Sequence, residues 1–113
     1  MAKWSDNKYD RYGGQAPVAV TFSPAINFMI VSVKLHLSSE GGTAEDFTIT
    51  LDSRRGTKFD ANLLTQDMEK TVDLYWTPNK DLAFEDGDKI KFEYANTNAR
   101  NFGLEIVYRE GSR

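Results

Sequence analysis

Residues 88–96 read DKIKFEYAN. Ile90, Phe92 and Tyr94 alternate there with Lys89, Lys91 and Glu93, and a period of two puts three apolar side chains on one face of a strand and three charges on the other. No helical face can be drawn through that pattern. The preceding Glu85-Asp86-Gly87-Asp88 reads as a tight turn in which Gly87 is free to take positive φ. Before it, DLAF (81–84) offers a short strand carrying Leu82 and Phe84.

The same period recurs on both sides of this segment. FGLEIVYR (102–109) turns Phe102, Leu104, Ile106 and Tyr108 inward and Gly103, Glu105, Val107 and Arg109 outward. TVDLYW (71–76) sets Val72, Leu74 and Trp76 against Asp73 and Tyr75, and Pro78 ends it. AEDFTITLDS (44–53) buries Phe47, Ile49 and Leu51, and TKFDANLL (57–64) continues that face with Phe59, Ala61 and Leu63. FMIVSVKLHLSS (28–39) puts Met29, Val31, Val33, Leu35 and Leu37 on one face, opposite Ser32, Lys34 and His36. PVAVTF (17–22) contributes Val18, Val20 and Phe22. About eight short strands separated by turn residues predict an all-β chain, an eight-stranded antiparallel β-sandwich of jelly-roll type with an extended N-terminal arm.

The expected organisation is an arm over 1–15, a sandwich domain over 16–109 and a solvated tail over 110–113. The arm, MAKWSDNKYDRYGGQ, scatters Trp4, Tyr9 and Tyr12 among polar residues at no regular period. Such a stretch has too little apolar surface to offset the cost of ordering it alone. Gly13-Gly14 reads as the hinge between arm and domain.

The 113 residues suit one domain, and 40% hydrophobic, 12% aromatic and 27% charged residues are ordinary for a folded soluble chain. A net charge of -3, with Lys and Arg dispersed among Asp and Glu, argues against a nucleic-acid surface. With no cysteine, disulfides, thiolate nucleophiles and cysteine-based zinc sites are excluded. The longest apolar run, Phe28 to Val31, is far too short to cross a bilayer as a helix. No secretion signal is visible at the start, so cytoplasmic folding is expected.

Little in the sequence points to catalysis. His36 is the only histidine and sits mid-strand on a polar face, so it reads as an exposed strand residue, and no cofactor is implied. Asp46, Asp52, Asp60, Asp67, Asp86 and Asp88 lie near strand ends, where loop carboxylates can converge on calcium, but no calcium-loop spacing appears and they read as turn residues. No metal site is expected. Tyr75, Trp76, Asn79, Asn96, Asn98 and Asn101 are residue types that suit a sugar surface. Trp76, however, falls in the core register, which leaves Tyr75 as the outward ring of that strand.

Association is the better-supplied class. Trp4, Tyr9 and Tyr12 are residue types that anchor interfaces. The stretch Phe28 to Val31, with Phe28 and Ile30 opposite the expected core face, is an edge that needs covering, and Val107 is an apolar point on a wet face.

Taken together, VSVKLHLSS, EDFTITLDS, GTKFDANLLTQDM, LYWTP, GDKIKFEYAN and FGLEIVYR resemble small jelly-roll proteins encoded among the virion structural genes of tailed bacteriophages, over residues 28 to 109. The resemblance implies a non-enzymatic particle protein, in the first place a capsid decoration or cement protein seated over joints between shell subunits. Its implied partners are the major capsid protein or other virion proteins and further copies of itself, as a dimer or trimer, with assembly in the host cytoplasm and neither nucleic acid nor membrane bound. A tail accessory protein and a carbohydrate-binding sandwich module are the alternatives.

Overall fold

The computed structural model describes residues 3–78 and 82–112. Among the described residues there are ten strands: β1 (Lys3–Trp4), β2 (Lys8–Gly14), β3 (Val18–Phe22), β4 (Phe28–Leu37), β5 (Asp46–Asp52), β6 (Ala61–Asp67), β7 (Asp73–Trp76), β8 (Ala83–Phe84), β9 (Lys89–Tyr94) and β10 (Phe102–Ser112). They form two antiparallel sheets. In the first, β10 and β4 are central, β1 and β2 pair in succession with the outer side of β10, and β7 and β8 pair with the outer side of β4. In the second the order is β3-β9-β5-β6.

The core lies between the sheets. Phe28, Ile30, Val33, Leu35, Leu37, Leu104 and Ile106 enter it from the first sheet, and Val18, Phe22, Phe47, Ile49, Ile90, Phe92 and Tyr94 from the second. Phe22 bridges the layers, edge-on to Phe28 at 5.5 Å and to Tyr108 at 4.7 Å between ring centres. These aromatic contacts add to the transfer of apolar area out of water. Met68, on the connection after β6, is fully buried as well.

The structure corrects the expectation for 28–37. Val107 pairs with Ser32 but Tyr108 pairs with Ile30, so Val31 is an extra residue without an opposite number on β10. This β-bulge reverses the alternation half-way along β4. Phe28 and Ile30 therefore point inward beside Val33, Leu35 and Leu37, at 0% and 1% exposure, and neither is an interface residue in this fold. Val107 does face outward, beside Ser32, yet it is 7% exposed and is no apolar point on a wet face.

Both chain ends depart from the expected plan too. Residues 8–14 are an edge strand in register with β10 over seven pairs, from Phe102↔Gly14 to Tyr108↔Lys8. Lys3 and Trp4 pair with Ser112 and Gly111, so the expected tail is strand as far as Ser112. Backbone pairing holds this segment, not burial of its rings: Tyr9 is 53% exposed and Tyr12 36%. Gly13 and Gly14 end β2, where the chain leaves the first sheet for the second. A Cβ at Gly13 would meet the Phe102 carbonyl oxygen at 3.1 Å, and Gly14 has φ 142. Phe59, expected inside, sits on a 3-10 turn (Thr57–Phe59) and is 58% exposed.

Two loop clusters close the ends of the sandwich. At one end Asp88, 6% exposed, accepts the Arg54 and Glu85 backbone N–H groups at 2.9 Å each. Its turn has Gly87 at φ 99. At the other end the Asn96 amide nitrogen donates to the Gln15, Ala16 and Arg100 carbonyls, joining the β2–β3 and β9–β10 connections.

Candidate interaction face

The outward face of the first sheet presents its side chains away from the core. Residues opposite one another in register share a face, so the pairings place its side chains in rows across β2, β10, β4 and β7. One row is Gly13, Gly103, His36 and Asp73; the next is Arg11, Glu105, Lys34 and Tyr75; a third is Tyr9, Val107 and Ser32.

Two adjacent glycines in the first row leave the backbone bare. Gly103 lies in a depression of about 310 Å³ lined also by Arg11, Lys34, His36 and Glu105, together with Tyr12 and Leu104. A Cβ at Gly103 would meet nothing within 4 Å. Arg11 donates from Nε to Glu105 Oε2 at 2.7 Å, and its guanidinium stands 5.5 Å from the centre of the Tyr9 ring. His36 Nδ1 and Asp73 Oδ1 are 2.5 Å apart with both side chains more than half exposed. Tyr75 stands beside Lys34 and is 68% exposed.

The residues lining the depression include no serine, threonine or cysteine to serve as a nucleophile for a His36–Asp73 pair. Among the described residues no group of three or more His, Asp or Glu is placed to hold a metal ion, and no helix is long and apolar enough to cross a membrane. The six aspartates near strand ends do not converge. A second depression of about 450 Å³, on the outward face of the second sheet, is lined by Thr50, Asp52, Asp60, Asn62, Lys91 and Glu93 with Leu51 and Ala61 and contains no ring.

The inward-facing side of β2 carries a separate polar strip. Lys8, Asp10 and Tyr12 lie opposite Tyr108, Ile106 and Leu104. Lys8 Nζ donates to Glu110 Oε1 at 2.6 Å, and that bond raises the lysine above its ordinary value. Burial first, then the Asp10 carboxylate, raises the Tyr12 and Tyr108 phenols.

The residues expected to interact are thus divided. Tyr9 and Tyr75 lie on the outward face, Tyr12 lies on the opposite side of the same edge, and Trp4 is partly buried opposite Gly111. Trp76 packs against the core. Two of the asparagines are structural: Asn96 is 3% exposed and Asn98 Nδ2 donates to the Gly41 carbonyl and to Thr43 Oγ1, while Asn101 is exposed and bonds to Ser38 through its backbone. Asn79 lies outside the described residues. Arg11, Lys34, Gly103 and Glu105 were missed, because only the pairing of β2 with β10 and of β10 with β4 brings them together. The chain matches no known family profile and no curated protein sequence.

Proposed function

We propose that this chain is a non-enzymatic association domain of a tailed-phage virion, a capsid decoration protein that binds across joints between shell subunits. The observation that carries the reading is the outward face of the first sheet, where Tyr9, Arg11, Lys34 and Tyr75 are presented on a rigid support. Two further features support it. One is the resemblance of residues 28 to 109 to small virion proteins, and the other is a strand order of the kind a jelly-roll sandwich would have. In that order the first long strand, β2, lies beside the last, β10, and successive long strands fall in alternate sheets as far as β5.

The physical action is linkage. A protein that binds only the assembled shell lowers the free energy of that state alone, so the shell resists disassembly in proportion to occupancy. Area buried over the outward face would supply affinity, with the exposed tyrosines as anchors. Assembly in the host cytoplasm suits a chain without cysteine.

The test is co-sedimentation of the purified chain with shells built from the major capsid protein of a tailed phage whose genome encodes the chain. Saturable binding that is lost in Tyr75→Ser with unchanged thermal stability is the expected result. No binding to shells at any occupancy overturns the reading. The exposure of Tyr75 next to a depression favours one second reading, a saccharide-binding face on which a sugar ring stacks on Tyr75. A glycan array decides it: binding abolished by Tyr75→Ser would replace the shell with a sugar as the partner.

A further inference from the structure

We propose that the open edge of β2 pairs with the β2 edge of a second copy about a two-fold axis at Arg11, and that Tyr9 of each copy reaches across Gly13 of the other into its depression at Gly103. The inference rests on reading the chain as an association domain, and it names the self-association surface of that reading.

The four sheet edges are not equivalent. Proteins protect exposed edges with proline, bulges, short strands or charged side chains. β3 is bracketed by Pro17 and Pro24, β7 and β8 are four and two residues long with Pro78 between them, and β6 carries a bulge at Leu63, since Ile49 pairs with Leu64 and Thr50 with Asn62. β2 has neither proline nor bulge, and its cations Lys8 and Arg11 are held to Glu110 and Glu105 of its own sheet. Its seven residues pair with β10 without a register shift, and among the described residues nothing pairs with its other side.

A two-fold axis at Arg11 uses the whole strand, giving seven pairs from Lys8↔Gly14 to Gly14↔Lys8. In this register Tyr9 of one copy lies directly opposite Gly13 of the other. Gly13 in turn lies opposite Gly103 within its own sheet, and all three residues share the outward face. Neighbouring strands are about 4.8 Å apart, so a tyrosine ring leaning across one glycine reaches the next. The exposed knob and the empty hole are therefore brought together by the same backbone pairing. On the inward side Asp10 meets Tyr12 of the second copy, a carboxylate opposite a phenol that donates hydrogen bonds. The one like-charge pair, Arg11 with Arg11, is compensated, because each guanidinium already holds Glu105 at 2.7 Å.

The absence of cysteine makes the register directly readable. Opposed residues across an antiparallel pair have Cα atoms about 4.5–5.5 Å apart, within disulfide range. Arg11→Cys should therefore form a covalent dimer on mild oxidation. Tyr9→Cys should not, since the two sulfurs would be offset by four residues, about 13 Å along the strands. Light scattering on the full chain at high micromolar concentration should give twice the chain mass. Gly103→Val, which has open space for its side chain and suits a strand, should keep the melting temperature and give a monomer.

A monomeric full chain whose Arg11→Cys variant does not cross-link overturns the proposal, as does a Gly103→Val variant that remains dimeric. Cross-linking of Tyr9→Cys in place of Arg11→Cys overturns the register. Shell co-sedimentation is read separately, so loss of edge pairing with retained shell binding leaves the association reading standing without this surface.

Discussion

The Arg100 guanidinium donates to the Tyr94 hydroxyl, and its central carbon stands 5.7 Å from the centre of the same ring. Arg100 is 6% exposed and also donates from Nη1 to the Ser39 carbonyl at 2.6 Å. One side chain thereby ties the end of β9 to the segment after β4, and its charge sits over a π face.

Arg100→Ala should therefore destabilise the fold by roughly 2–4 kcal/mol, because the buried Tyr94 hydroxyl and the part-buried Ser39 carbonyl lose their donor and the stem leaves a void. Tyr94→Phe should cost less, about 1–2 kcal/mol, since the ring face is kept. Urea denaturation of the two variants checks both the size and the order. The opposite order would place the stabilisation in the hydroxyl and not in the guanidinium.

The bulge in β4 makes adjacent residues energetically unlike. Ile30 is 1% exposed and packs in the core, whereas Val31 is the unpaired residue of the bulge and is partly exposed. Ile30→Ala should cost about 2–5 kcal/mol and Val31→Ala less than about 1 kcal/mol. An unbroken alternation would require the reverse, so thermal melts of this pair test the register directly.

Removing residues 1–14 should not yield an independent domain. The deletion uncovers the β10 edge along seven paired positions. The truncated chain is expected to aggregate or to lose cooperative unfolding, measured by light scattering and circular dichroism. A well-folded monomer would mean that β2 contributes little beyond its own ordering.

Alkaline pH should weaken the fold. Tyr12, Tyr94 and Tyr108 are all held above the ordinary phenol value of 10.0, by burial in the first place, and Lys8 is held above 10.5 by its bond to Glu110. The folded state thus binds these protons more tightly than the unfolded chain does. Their contribution is complete below the unfolded values and is lost as pH rises through the folded ones. Melting temperature should be level from about pH 7 to 9 and fall above about pH 10, and a Tyr12→Phe, Tyr108→Phe double variant should fall less steeply. A profile indifferent to both substitutions would assign the alkaline loss to other groups.

Period-two alternation in 88–96, 44–53 and 102–109 was enough to establish an all-β chain, because a half-buried strand must sort its side chains to two faces. The same reasoning put Trp76 inside and Tyr75 outside. It went wrong at Phe28 and Ile30, since a bulge is a relation between two strands and Val31 looks like any other member of its run until β10 is laid beside it. The strand character of 8–14 was hidden for a related reason: an edge strand exposed on both sides needs no apolar alternation, only a neighbour's free backbone groups. The outward face is likewise a product of tertiary structure. Gly13, Gly103 and His36 are distant in the chain and become one row only through antiparallel register, which no local pattern encodes.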